Sequence, residues 1–63
     1  MNKAAAFKYG IFKAWATING KEYRADIVKG AWRLSVEVIP GKKWEAVNGK
    51  DYTSAAEAFA DII

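Results

Sequence analysis

The residues with the clearest chemical potential are an indole and three cations that alternate with apolar residues. Lys13 and Trp15 flank Ala14, and Arg24 and Arg33 stand in similar alternating runs. Residues two apart in a β-strand share a face, so we expect these side chains on one face of a sheet. An exposed indole can stack on a base or a sugar while its cationic neighbours contact phosphates. Cation–π contact between Trp15 and Arg24 would also stabilise a sheet with no ligand, and the sequence leaves both interpretations open.

The composition of the 63-residue chain excludes several kinds of chemistry. It contains no cysteine and no histidine, which removes thiolate and imidazole metal sites and the commonest general base. Its carboxylates are not arranged as a catalytic pair, and the chain has no glycine-rich phosphate loop. We therefore expect no enzyme activity, no cofactor and no metal.

The net charge and the distribution of apolar residues indicate the class of partner. The charge of +3 mildly favours an anionic partner such as nucleic acid. The apolar residues are interrupted too often for a signal peptide or a membrane span. We expect a small basic protein of the cytoplasm that does not bind membranes.

An internal sequence repeat predicts the elements that position these side chains. FKAWATINGKEYRA, residues 12–25, reappears as WRLSVEVIPGKKWEA, residues 32–46, in the same order of residue types. Asn19-Gly20 has the residues of a type I′ turn, and Lys29-Gly30 turns the chain again. The pattern predicts two similar hairpins in a four-stranded antiparallel meander over residues 11–47, with residues 1–8 as an arm whose order is left open.

The alternation also predicts the two faces of that sheet. If Asn19-Gly20 pairs Ile18 with Lys21, Trp15 lies opposite Arg24. Lys13 then lies opposite Asp26, and if Lys29-Gly30 pairs Val28 with Ala31, Arg33 also flanks Asp26 on the same outer face. The inner face is predicted to contain Phe12, Ala14, Ala16, Ile18, Tyr23, Ala25, Ile27, Trp32, Leu34, Val36, Val38, Trp44 and Ala46.

A C-terminal helix is predicted over residues 54–63. Ser54 and Glu57 have the spacing of a capping box. An apolar stripe follows at helical spacing, formed by Ala55, Ala58, Phe59 and Ile62. We expect the stripe to lie on the inner face of the sheet, with Phe59 over Trp32, Leu34 and Trp44. The chain is therefore predicted to be one α+β domain over residues 1–63.

Residues 30–59, GAWRLSVEVIPGKKWEAVNGKDYTSAAEAF, resemble a known DNA-binding domain. This domain is shared by AP2-type factors and the arm-binding N-terminal domains of phage integrases. The resemblance implies a sheet that enters the major groove with a helix packed behind it. It also implies DNA contacts from Arg33, Ser35, Lys42 and Lys43. With the residues of the outer face, the candidate nucleic-acid contacts are Lys13, Trp15, Arg24, Arg33, Ser35, Lys42 and Lys43.

A second hypothesis is a protein partner. A chain of this size is typical of small phage or mobile-element proteins that inhibit or redirect a host protein. The contact would then be made by Trp15 and Val47 on the sheet face, or by the edge strand near Ile11. Pairing through an exposed edge strand would equally give a homodimer.

Overall fold

The computed structural model describes residues 5–63, which form one antiparallel sheet and one short helix. The sheet is a meander in the order β1-β2-β3-β4-β5, so each strand pairs with its neighbours in sequence. The elements are β1 (Ala5–Tyr9), β2 (Lys13–Ile18), β3 (Lys21–Val28), β4 (Ala31–Ile39), β5 (Lys43–Ala46) and α1 (Ala55–Ala60). The predicted antiparallel sheet followed by a C-terminal helix is confirmed. No helix in the described part of the chain is long and apolar enough to cross a membrane.

The prediction of four strands is wrong, because the sheet has five. The additional strand, β1, covers residues 5–8 of the segment assigned to an arm and also Tyr9, whereas residues 1–4 of that segment lie outside the described range. β1 pairs with β2 along its whole length, from Ala5 opposite Ile18 to Tyr9 opposite Ala14. The rings of Phe7 and Tyr9 lie 5.7 and 6.1 Å from that of Phe59. These aromatic contacts with the helix stabilise β1 at the edge of the sheet.

The two central turns have the geometry that their residues predict. Asn19 and Gly20 have φ values of 52° and 83°, and Lys29 and Gly30 have 52° and 82°. Two consecutive left-handed residues make a type I′ turn, which fixes the strand register on either side. Trp15 consequently lies opposite Arg24, as predicted.

The fourth predicted strand presents the wrong face. A bulge between Glu37 and Ile39 shifts the pairing of β4 with β5, so that Trp44 lies opposite Glu37. We call the face against which α1 packs the inner face, and its opposite the outer face. Trp44 and Ala46 therefore belong to the outer face, and their predicted place in the core is wrong. An extra residue in one strand reverses the alternation beyond it.

Helix α1 packs on the inner face of the sheet, and the buried residues of both the helix and the sheet are mostly alanine. Ser54 is its N-cap and accepts a hydrogen bond from the Glu57 backbone N–H at 3.1 Å. The Glu57 carboxylate accepts from the Thr53 N–H at 3.1 Å, one residue before the N-cap N–H that a capping box would use. The buried residues of the core are Ala14, Ala16, Ile18, Ala25, Leu34, Tyr52, Ala55, Ala58 and Phe59. Ala55, Ala58 and Phe59 of the predicted apolar stripe are buried, and Phe59 is the largest of them. The prediction of a helix over residues 54–63 is too long, because α1 ends at Ala60 and Ile62 is half-buried beyond its end.

Besides Trp44 and Ala46, two further predicted core residues are exposed, and one predicted surface residue is partly buried. Phe12 is 70% exposed because it falls in the β1–β2 turn rather than in a strand. Val38 is also exposed, at the bulge. Val47, proposed as a surface contact, instead packs against the core. Its N–H donates to the Leu34 carbonyl at 3.0 Å, which extends the pairing of β4 beyond β5.

Tyr52 joins the sheet to the end of the helix. Its backbone pairs with Trp32, and its hydroxyl donates to Asp61 Oδ2 at 2.6 Å. This hydrogen bond, with the Lys50 ammonium 3.5 Å from the same oxygen, lowers the pKa of Asp61 below its ordinary value. The hydrogen bond to Asp61 and the burial of the ring raise the pKa of Tyr52. The pair is therefore strongest between the two titrations, where Asp61 is ionised and Tyr52 is neutral.

Candidate nucleic-acid interface

The outer face carries polar and aromatic side chains in transverse rows across the sheet. One row crosses all five strands and contains Lys8, Trp15, Arg24, Ser35 and Ala46. Each row is a set of directly opposed strand positions, and the hairpin turns fix the register that places these positions opposite each other. Side chains directly opposite each other in an antiparallel sheet lie within contact distance, so each row behaves as a unit.

Arg24 is fixed between an acid and an aromatic ring. Its Nε donates to Asp26 Oδ2 at 2.8 Å, and its guanidinium carbon lies 4.6 Å from the centre of the Trp44 ring. The sequence predicts Trp15 as its aromatic neighbour, and Trp15 is indeed opposite Arg24 in register, but the guanidinium stacks on Trp44. Because its charge is balanced by Asp26, Arg24 adds little positive potential to this face.

Arg33 is also neutralised. Its Nε donates to Asp51 Oδ1 at 2.9 Å, in an exposed ion pair. Asp26 lies opposite Arg33 in the register, yet its Oδ1 is enclosed and has no hydrogen-bond partner. A carboxylate oxygen in this position repels phosphate. Asp26 is also directly opposite Lys13, so anionic ligands are best accommodated on the β1 side of Trp15, beside Lys8.

Trp15 has two lysines as neighbours, one on β1 and one on its own strand. Lys8 lies opposite it on β1, with Nζ 5.8 Å from the ring centre, and Lys13 is two residues before it on the same face of β2. The indole reaches over Gly10, since a Cβ built there would lie 3.7 Å from its Cζ3. Trp15 is 37% exposed, and neither lysine makes an ion pair with a described residue. We call Lys8, Lys13 and Trp15 the lysine–indole cluster.

A shallow concavity of about 260 Å³ adjoins this cluster. It is lined by Ala6, Phe7, Lys8, Trp15, Thr17 and Glu22. Glu22 accepts a hydrogen bond from the Thr17 hydroxyl at 2.8 Å, which satisfies part of its acceptor capacity. The volume falls below the range of roughly 300–1,000 Å³ that encloses drug-sized ligands. It suits a ring that enters from solvent and stays partly exposed.

The remaining predicted contacts lie away from the cluster. Lys42 is in the turn before β5, and Lys43 forms an ion pair with Glu45 at 3.3 Å. β5 is the opposite edge of the sheet from β1, four strand spacings or about 19 Å away. Ser35 is half-buried in the middle of the face. The structure thus unites Lys13 and Trp15, and separates them from Lys42 and Lys43.

Lys8 is the member of the cluster that the sequence analysis missed. Its signal is the run Ala5–Tyr9, in which Phe7 and Tyr9 alternate with Lys8 ahead of Gly10. That alternation is the mark of a short strand followed by a turn. Gly10 is required there, because a Cβ would lie 2.8 Å from the Lys13 carbonyl oxygen.

Within residues 5–63, no three acidic side chains come together in a way that could hold a metal ion. Comparisons with protein-family models, curated proteins and solved structures gave no match to this chain.

Proposed function

We propose that this protein binds DNA through the outer face of its sheet, at the lysine–indole cluster. The observation that carries the proposal is a part-exposed indole between two lysines, neither of which is ion-paired with a described residue. Aromatic side chains stack on bases without regard to sequence, and lysines beside them bind the flanking phosphates. Stacking needs an unpaired base, so the preferred ligand is a single-stranded segment.

The other candidate residues have lesser roles in this proposal. Arg24 and Arg33 keep the face ordered, because their charges are already balanced by Asp26 and Asp51. Ser35 offers a hydroxyl in the middle of the sheet. Lys42 and Lys43 contact only a nucleic-acid strand that is long enough to cross the whole sheet to β5.

The proposal is tested by binding of a labelled oligothymidine, followed by fluorescence anisotropy over a series of salt concentrations. Replacing Lys8 and Lys13 together by alanine should lower the salt slope by about 1.4, since each contact to a single strand contributes about 0.7. The matched control replaces Lys21 and Lys29, which lie on the inner face and in the β3–β4 turn. It removes the same charge and should leave the slope unchanged. An equal loss in both double variants would reduce the effect to net charge and contradict the site.

The indole is tested by comparing two tryptophans of the same face. Trp15→Ala should weaken binding about 5- to 150-fold, the range found for loss of one stacked base. Trp44→Ala should weaken it far less, because Arg24 already covers that ring. Thermal unfolding of both variants shows whether the fold is intact. The proposal fails if the wild-type protein binds neither a single strand nor a duplex at low salt.

A protein partner is the second candidate, favoured by exposed apolar side chains at one end of the sheet. Ile11 is 82% exposed and Phe12 is 70% exposed in the β1–β2 turn, and Val28 is exposed beside the next turn at that end. Such residues often mark a contact surface. Ile11→Ser with Phe12→Ser should abolish binding of a protein partner and leave oligothymidine binding unchanged. Loss of oligothymidine binding in that variant would contradict this division of the surface.

A further inference from the structure

The edge strand β1 presents unpaired backbone groups to solvent. The Gly10 N–H donates to the Lys13 carbonyl at 2.7 Å, which fixes the hydrogen-bonding phase of the β1–β2 ladder. Because this phase alternates along an antiparallel pair, residues 6 and 8 direct their N–H and C=O groups towards β2. Residues 5, 7 and 9 direct theirs outward.

A second hydrogen bond gives the same phase independently. The Ile27 N–H donates to the Phe12 carbonyl at 3.2 Å, so the even-numbered residues of β2 pair with β3. The odd-numbered residues of β2 must then pair with β1, which again leaves residues 5, 7 and 9 of β1 facing outward. All five residues of β1 are exposed, and Tyr9 is 57% exposed.

We propose that two copies of this chain associate through β1, antiparallel about a two-fold axis at Phe7. Phe7 then lies opposite the partner's Phe7, and Ala5 lies opposite the partner's Tyr9. Each of the three resulting residue pairs exchanges two N–H···O=C bonds, so every outward-facing group of β1 is used. The two five-stranded sheets become one continuous sheet, and the aromatic side chains of both copies meet on its inner face.

Self-complementarity selects this register over its neighbours. An axis at Lys8 would lose one of the three pairs and set Lys8 against the partner's Lys8. With an axis at Ala6, only two of the three pairs fall within the described residues. With the axis at Phe7, Lys8 lies opposite the partner's Ala6, so no like charges face each other.

The other edge of the sheet is less suited to the same contact. The Val47 N–H donates to the Leu34 carbonyl, so within β5 only Trp44 and Ala46 direct backbone groups outward. Pairing Trp44 with the partner's Ala46 would place Glu45 opposite the partner's Glu45. Like charges directly opposite each other destabilise a sheet.

The association is tested first by sedimentation equilibrium of the full chain without nucleic acid. The mass should rise with concentration from 7.0 kDa to twice that value and no further. Ala6→Lys places two cations opposite each other at two symmetry-related points, and Ala6→Glu places a carboxylate opposite each Lys8. The dissociation constant should rise about 2- to 30-fold in the first variant and fall by a similar factor in the second. Adding Lys8→Glu should reverse both effects.

A backbone variant tests the hydrogen bonds themselves. Phe7→Pro removes the central outward N–H but none that pairs with β2, and proline is tolerated at such edge positions. It should be monomeric, whereas the control Phe7→Ala loses the same ring, keeps the amide and should retain measurable association. In the wild type, protection of the 5, 7 and 9 amides from hydrogen exchange should increase with protein concentration.

Three results would overturn the proposal. A wild-type chain that keeps the monomer mass at high concentration removes the dimer. Masses above the dimer indicate open-ended association. Equal effects of Ala6→Lys and Ala6→Glu exclude the register about Phe7. Because no oligonucleotide is present, these results are independent of DNA binding.

Discussion

The three phenylalanines provide a graded test of how this domain is stabilised. Phe59 is 1% exposed, Phe7 39% and Phe12 70%. Replacing each by alanine should lower the free energy of unfolding in that order. Their ranking differs from the sequence-based expectation, in which Phe12 belongs to the inner face.

The magnitudes follow from the buried fraction of each ring. Phe59→Ala should cost about 3–5 kcal/mol, because it removes a fully buried ring and leaves a cavity between helix and sheet. Phe7→Ala should cost about 1–2 kcal/mol, since about 60% of the roughly 1.5–3 kcal/mol for burying a phenylalanine is lost and solvent fills the space. Phe12→Ala should cost less than about 1 kcal/mol by the same reasoning.

The assay is urea unfolding followed by circular dichroism, with stability taken from the midpoint and the slope. A domain of this size has about 3–9 kcal/mol in total, so Phe59→Ala should lose from about a third of that stability to all of it. Phe59→Leu keeps most of the volume and should cost less than about 1.5 kcal/mol, which provides a measurable variant at that site. The reasoning is refuted if Phe12→Ala costs as much as Phe7→Ala, or if Phe59→Ala costs less than about 2 kcal/mol.

Three further perturbations probe particular contacts. The hydrogen bond from Tyr52 lowers the pKa of Asp61 in the folded state. The ionised carboxylate therefore stabilises the fold above its unfolded-state pKa, and this stabilisation is lost as the pH falls through the lower folded-state pKa. Asp61→Asn should flatten the acid limb of the melting temperature against pH, and an unchanged limb would contradict the assignment. Gly10→Ala should destabilise by about 1–3 kcal/mol through the clash with the carbonyl across its turn, with faster amide exchange in β1. Gly20→Ala should cost about 1–2 kcal/mol at φ +83°, whereas Gly49→Ala, in open space and without a positive φ, should be close to neutral; equal costs would exclude backbone strain as the cause.

The central part of the fold was predictable because its turns are encoded locally. Asn19-Gly20 and Lys29-Gly30 admit the left-handed backbone, and those two turns fix three strands and the position of Trp15 opposite Arg24. The face of Trp44 was not predictable, since a bulge next to it reverses the alternation without any distinct residue signature.

The candidate site was predictable only in part, for reasons of packing and charge. β1 is held by aromatic contacts to Phe59, which is more than fifty positions away in the chain, so Lys8 had no evident partner in the sequence. The ion pair of Arg33 with Asp51 joins residues 18 positions apart in the chain, so the periodicity of the strands could not predict it. Lys13 and Trp15 lie on the outer face as the alternation indicates.

The meander order of the strands has a consequence for how the chain folds. Every strand hydrogen-bonds to a neighbour in sequence, so each hairpin closes a loop of only a few residues. Contacts of high sequence separation are made where the C-terminal segment meets the sheet, through Tyr52 on β4 and Phe59 against β1. We expect the central hairpins to assemble early and the helix to dock late, so changes in Phe59 should mainly raise the rate of unfolding and leave the rate of folding nearly unchanged.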